Sequence, residues 1–133
     1  MPKHYSLAAW QEARAVVLLL LEVNKSDWQA RASAIFSQAN RAALSVQLNI
    51  AEGWAFGPSP SCVRHLRIAY GSATETSDLI ALLIDSGIVN GDSGARLRLH
   101  NDRSLRLLTG LLKQHRNTVR GELQLKRPTL PEA

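Results

Sequence analysis

Apolar residues recur at three- and four-residue spacing through most of the chain, which is the period of one face of an α-helix. Leu7, Trp10, Ala13, Val17, Leu20 and Leu21 define a first helix from about Ser6, its expected N-cap, to Asn24, after which "NKSD" supplies a turn. The second pattern runs from about Trp28 to Phe56 and stops at "GPSPS", because Pro58 and Pro60 disfavour helical backbone in the residues before them. A third continues from Ser61 to about Ser86, where "GIVNG" breaks it. Asp92 or Ser93 can cap a fourth helix that reaches Arg120. No alternating strand pattern competes. Four long helices with short connections predict an all-α, antiparallel up-down-up-down four-helix bundle over residues 1–120, followed by a basic, loosely ordered tail over 121–133.

Two of these helices carry more than one apolar face. On the second, Ile35, Phe36, Ala39, Ala42, Ala43, Val46, Ile50 and Trp54 form the expected core side, while Leu44, Leu48, Ala51 and Ala55 fall opposite, close to Arg41, Ser45 and Glu52. On the third, Leu66, Ala69, Ala73, Ile80, Leu83 and Ile84 face the core. Ile68, Leu79 and Leu82 form another stripe, which also carries Glu75. Contiguous exposed apolar patches usually mark interaction sites. The expected subunit interface is therefore Arg41, Leu44, Ser45, Leu48 and Glu52 with Ile68, Glu75, Leu79 and Leu82.

Composition narrows the class. With 133 residues and 45% hydrophobic content the chain is one globular domain, and the scarcity of aromatics, at 5%, suits helices better than strands. The longest apolar run, Ala15 to Leu21, is too short to span a bilayer and no secretory signal is visible, so a soluble cytoplasmic protein is expected. One cysteine, Cys62, excludes an internal disulfide.

Charge changes the picture most. Residues 1–90 hold 7 basic and 7 acidic side chains, whereas residues 91–133 hold 9 and 4, so the whole net charge of +5 lies in the last third. Arg98, Arg106, Lys113, Arg116 and Arg120 gather on one side of the fourth helix, and Leu97, Leu105, Leu108, Leu111, Leu112 and Val119 on the other. Such a stripe neutralises phosphates and releases counterions, so these five cations are the expected RNA- or DNA-binding residues. Few aromatic residues interleave them, so base stacking of the kind used by single-strand binders is not indicated.

Candidate chemistry adds little. His4, His65, His100 and His115 have no metal-ligand spacing, and no phosphate-cradling glycine loop is present. "GDSG" at Gly91 to Gly94 resembles a protease nucleophile loop, but a turn with a helix cap explains it, since that chemistry needs a histidine, an aspartate and an oxyanion hole. Glu52 and Glu75 lie on the expected association faces, where Arg41 or Arg67, including those of a neighbouring subunit, are the expected counter-ions. No catalytic residue, cofactor or metal is expected.

"LSVQLNIAEG" (Leu44 to Gly53) and "HLRIAYGSATE" (His65 to Glu75) closely resemble the bacterial four-helix-bundle proteins of the 23S rRNA intervening-sequence type. More distantly they resemble the accessory variability determinant proteins of diversity-generating retroelements. Trp10-Gln11-Glu12-Ala13 looks like that family's first helix, and "LIALLIDSGIV" like the end of its third. The chain departs from the family pattern at Asn40-Arg41, at Gln47 and at "WAFGPSP". The resemblance implies a non-enzymatic homopentamer associated with nucleic acid, acting as an accessory or scaffold; in the retroelement members it serves a reverse transcriptase and its RNA. The alternative is a purely protein-binding oligomeric scaffold without nucleic-acid affinity.

Overall fold

The computed structural model describes residues 3–125, which form four α-helices and, among these residues, no strand. They are α1 (Ala8–Asp27), α2 (Ser33–Ala55), α3 (Pro60–Asp85) and α4 (Gly91–Leu125), with short 3-10 turns at His4–Ser6 and Ala30–Ala32. Each helix packs against its neighbours in sequence, and α1 also packs on α4.

The helix ends differ from the sequence pattern for local reasons. Ser6 does not cap α1: its hydroxyl donates to the Lys3 carbonyl inside the first 3-10 turn, and the cap position falls to Leu7. The expected turn "NKSD" is the last turn of α1, where the Ser26 hydroxyl donates to the Glu22 carbonyl, and Trp28 and Gln29 make the break instead. At α3, Ser59 accepts from the Cys62 amide at 3.1 Å, and Pro60 sits at the first helical position, where its missing N–H costs nothing. Asn90, rather than Asp92 or Ser93, caps α4, its Oδ1 accepting from the Ser93 amide at 2.9 Å. Gly57 and Gly87, at φ 62° and 72°, occupy the left-handed region at the two sharpest turns. α4 runs through Leu125, so residues 121–125 of the expected tail are helical, and the remainder of that tail lies outside the described residues.

Two apolar clusters form the interior. One gathers Val16, Leu20, Phe36, Ile80, Leu83 and Leu97. The other gathers Val46, Ile50, Leu66, Leu108 and Leu112 around a row of alanines whose small side chains let the helices approach closely. Thr76 of α3 with Asn101 and Ser104 of α4, all buried, occupy the stretches between the clusters. Thr76 donates to the Ser72 carbonyl at 2.7 Å and Asn101 to the Ala73 carbonyl at 3.0 Å, which offsets the cost of burying them. On α1 the core positions are Val16 and Leu19 as well as Ala13 and Leu20, whereas Leu21 is exposed. That face is rotated slightly from the one the pattern suggests, because a run of four leucines offers no polar residue to fix its phase.

Candidate nucleic-acid interface

Lys113, Arg116 and Arg120 are spaced three and four residues apart, so they fall within about 60° of one another around α4 and span about 10 Å of its length. Opposite them, α3 contributes Arg67, Tyr70 and Gly71, which share a face for the same reason. These six residues line an open groove of about 750 Å³ between the helices, with Leu112 on its apolar side. The groove is open beside Gly71, where a Cβ would meet nothing within 4 Å. Four cations and no carboxylate line it, and none of the four takes part in a salt bridge among the described residues. Like charges held this way repel, and an anionic ligand relieves that repulsion.

The structure divides the five cations expected on α4. Lys113, Arg116 and Arg120 enter the groove. Arg106 instead lines a shallower groove of about 350 Å³ with Arg103 and Leu107, and Arg98 lines neither. Asp102, one turn from both Arg98 and Arg106, also lowers the positive potential there. Arg67, Tyr70 and Gly71 were missing from the sequence-based set as ligand-binding residues. Their i, i+3, i+4 spacing puts them on one face of α3, but only the packing shows that α4 runs beside that face.

The expected subunit interface forms a strip along the outside of α2 and α3. Leu44, Leu48, Ile68 and Leu82 are exposed apolar residues on it, Arg41, Glu52 and Glu75 are exposed and charged, and Ser45 and Leu79 are half-buried. The carboxylates there find partners within the chain. Glu75 accepts from the Gln38 side-chain amide at 2.7 Å, and Glu52 lies 3.5 Å from His65 Nδ1. Ser45 and Ser72 share a hydroxyl–hydroxyl hydrogen bond of 2.9 Å across the helices.

Below that strip, Asn49 donates from its side-chain amide to the Ser45 carbonyl at 2.9 Å, which leaves its Oδ1 to accept from His65 Nδ1–H at 2.9 Å. This bond places the neutral imidazole's proton on Nδ1. Phe56 stacks on the same ring. Gly53 is buried where a Cβ would come within 3.0 Å of the His65 Cβ and 3.3 Å of the Cys62 carbonyl oxygen. The motif "NIAEG" thus brings α2 and α3 together within one chain. Burial also pushes the Cys62 thiol up from its ordinary range.

Elsewhere, His100 of α4 pairs with Glu12 of α1, and Arg103 reaches the same carboxylate at 3.7 Å. His115 is buried against Trp54 and donates from Nδ1 to the Leu111 carbonyl. No group of three or more His, Cys, Asp or Glu side chains among the described residues could hold a metal ion, and no helix is long and apolar enough to cross a membrane.

Residues 5–110 match the family model described as 23S rRNA-intervening sequence protein. No curated protein matches the chain.

Proposed function

Because this chain belongs to the 23S rRNA-intervening sequence protein family, we propose that it is a non-enzymatic RNA- or DNA-binding accessory protein that holds its ligand in the groove between α3 and α4. The observation that carries this reading is the groove's lining, four cations with no carboxylate among the lining residues. The family match ends at residue 110, so Lys113, Arg116 and Arg120 support the reading on their chemistry alone. Four phosphate contacts predict a slope of about −2.8 when log affinity is plotted against log salt for a single strand, or about a 50-fold loss between 50 and 200 mM. Fluorescence anisotropy with a single-stranded RNA over that salt range tests it. No binding at 50 mM salt, or binding indifferent to salt, refutes the reading.

The proposed architecture is an antiparallel up-down-up-down bundle assembled into a homopentamer through the α2–α3 strip. Its support is the pairing of Gln38 with Glu75, Ser45 with Ser72 and Asn49 with His65, in which one number rises as the other falls, and the row of exposed Leu44, Leu48, Ile68 and Leu82. Five copies, each covering its neighbour's row, would bring five basic grooves onto one particle and raise the local positive potential. Light scattering on the full chain should give about five times the 14.6 kDa chain mass, and a monomer would refute the assembly.

A further inference from the structure

Tyr70 is the one aromatic residue in the lining of the basic groove. Its side chain is 41% exposed and makes no ring contact or side-chain hydrogen bond among the described residues, so neither the core nor a partner explains its position. Beside it Gly71 has no side chain and nothing within 4 Å of where one would begin, which leaves flat open space next to the ring. Leu112 supplies an apolar contact on the α4 side, Lys113 and Arg116 lie along the same wall, and Asn117 offers an amide to hydrogen-bond a polar edge. The result is an aromatic face and an apolar patch bordered by cations. Proteins that hold single strands combine these same two components, stacking for the base and positive charge for the backbone.

We propose that the groove selects a single-stranded segment of nucleic acid and stacks one unpaired base on Tyr70, with the adjoining phosphates on Arg67, Lys113, Arg116 and Arg120. This rests on the reading of the groove as a nucleic-acid surface and adds which form of nucleic acid it takes. A duplex keeps its base faces stacked on one another and has none to offer Tyr70, so it can engage only the cations. The volume of about 750 Å³ lies in the range that accommodates a small ligand, enough for a nucleotide unit beside Tyr70. About 10 Å of cationic wall along α4 corresponds to about three stacked nucleotides at 3.4 Å each. No groove residue here is assigned to the sugar, so RNA and DNA single strands of one sequence should bind within a few-fold of each other.

The test is fluorescence anisotropy of the full chain at 50 mM salt with a labelled single-stranded 12-mer in RNA and DNA forms, the same sequence as a duplex, and a strand carrying abasic sites. The single strands should bind more tightly than the duplex and than the abasic strand. Tyr70→Ala should weaken single-strand binding by about 5- to 100-fold, as for loss of one stacked base. Tyr70→Phe, which keeps the ring, should stay within about twofold of the original. Neither change should alter duplex affinity or the salt slope, because no charge is removed. Unchanged circular dichroism of the variants, expected at an exposed helical position, assures that folding is not the cause. Single-strand affinity untouched by Tyr70→Ala, or a preference for the duplex, overturns this proposal while leaving the basic groove intact. Absence of binding to every probe, or indifference to replacing Arg116 and Lys113 by alanine, instead overturns the underlying assignment of the groove.

Discussion

The seam between α2 and α3 and the groove between α3 and α4 lie on two sides of the same helix and treat polar groups in opposite ways. Along the seam Gln38 meets Glu75, Ser45 meets Ser72 and Asn49 meets His65, so each of these groups is satisfied within the chain. Along the groove four cations gather without a carboxylate among the described residues. A satisfied polar line favours one packing of two helices, because a shift of one turn would leave the half-buried Ser45, Asn49, His65 and Ser72 unpaired. An exposed cluster of one sign adds nothing to folding, and an anionic ligand would complement it by displacing the counterions that screen it. Asn49 and Gly53 therefore read as architecture, and the proposed binding surface sits one helix face away.

Substitutions should separate the two regions. The largest effect is expected in the groove: replacing Arg67, Lys113, Arg116 and Arg120 together by alanine should lower nucleic-acid affinity at 50 mM salt by about 50-fold or more and flatten the salt dependence, with little change in melting temperature. Replacing Arg98 and Arg106, which lie outside it, should change affinity only a few-fold, and equal losses from both sets would dissolve the distinction. At the seam, Gly53→Val drives side-chain atoms into the His65 Cβ and the Cys62 carbonyl, and should cost about 1–3 kcal/mol in urea unfolding while leaving affinity per folded molecule unchanged. Asn49→Ala leaves the half-buried His65 Nδ1–H without its amide partner and should cost about 1–2 kcal/mol by the same measurement. Gly71→Ala should instead stabilise by up to about 1 kcal/mol, since its Cβ enters open space and the helix loses a flexible residue.

The smallest effect concerns pH. The folded state holds the Cys62 thiol neutral above its ordinary pKa of 9.0, because burial disfavours the thiolate. Above that pH the unfolded chain binds fewer protons than the folded one, so stability falls as pH rises. Below it the thiol is protonated in both states and contributes no slope. Urea unfolding at pH 8 and 10 should therefore show a loss in the original protein that Cys62→Ala lacks.

Much of this was legible in the sequence. Periodicity places four helices and most of the α2 and α3 core, because alternation of small apolar and polar residues fixes the phase of those helices. It is weakest on α1, where consecutive leucines leave the phase open and Val16 and Leu19 join the core. Helix starts depend on which side chain wins the cap: Asn90 takes the position expected for Asp92 or Ser93, and Ser59 starts α3 just before the expected Ser61. The basic stripe on α4 was visible as a composition bias, but a stripe has no depth. Its partner wall, Arg67 and Tyr70, belongs to a helix more than 40 residues earlier, and only tertiary packing joins them. Asn49 and Gly53, by contrast, lie in the stretch that carries the family resemblance, and in the structure both make contacts with α3 of the same chain.

Ultraviolet crosslinking of the full chain to a single-stranded RNA, followed by peptide mapping, reads whether ligand contact belongs to the groove or to the α2–α3 strip. Crosslinks should concentrate on the peptide containing Tyr70 and on peptides spanning residues 109–120. Crosslinks centred on the Leu44, Leu48 and Ile68 strip, with the groove peptides unmodified, would contradict it.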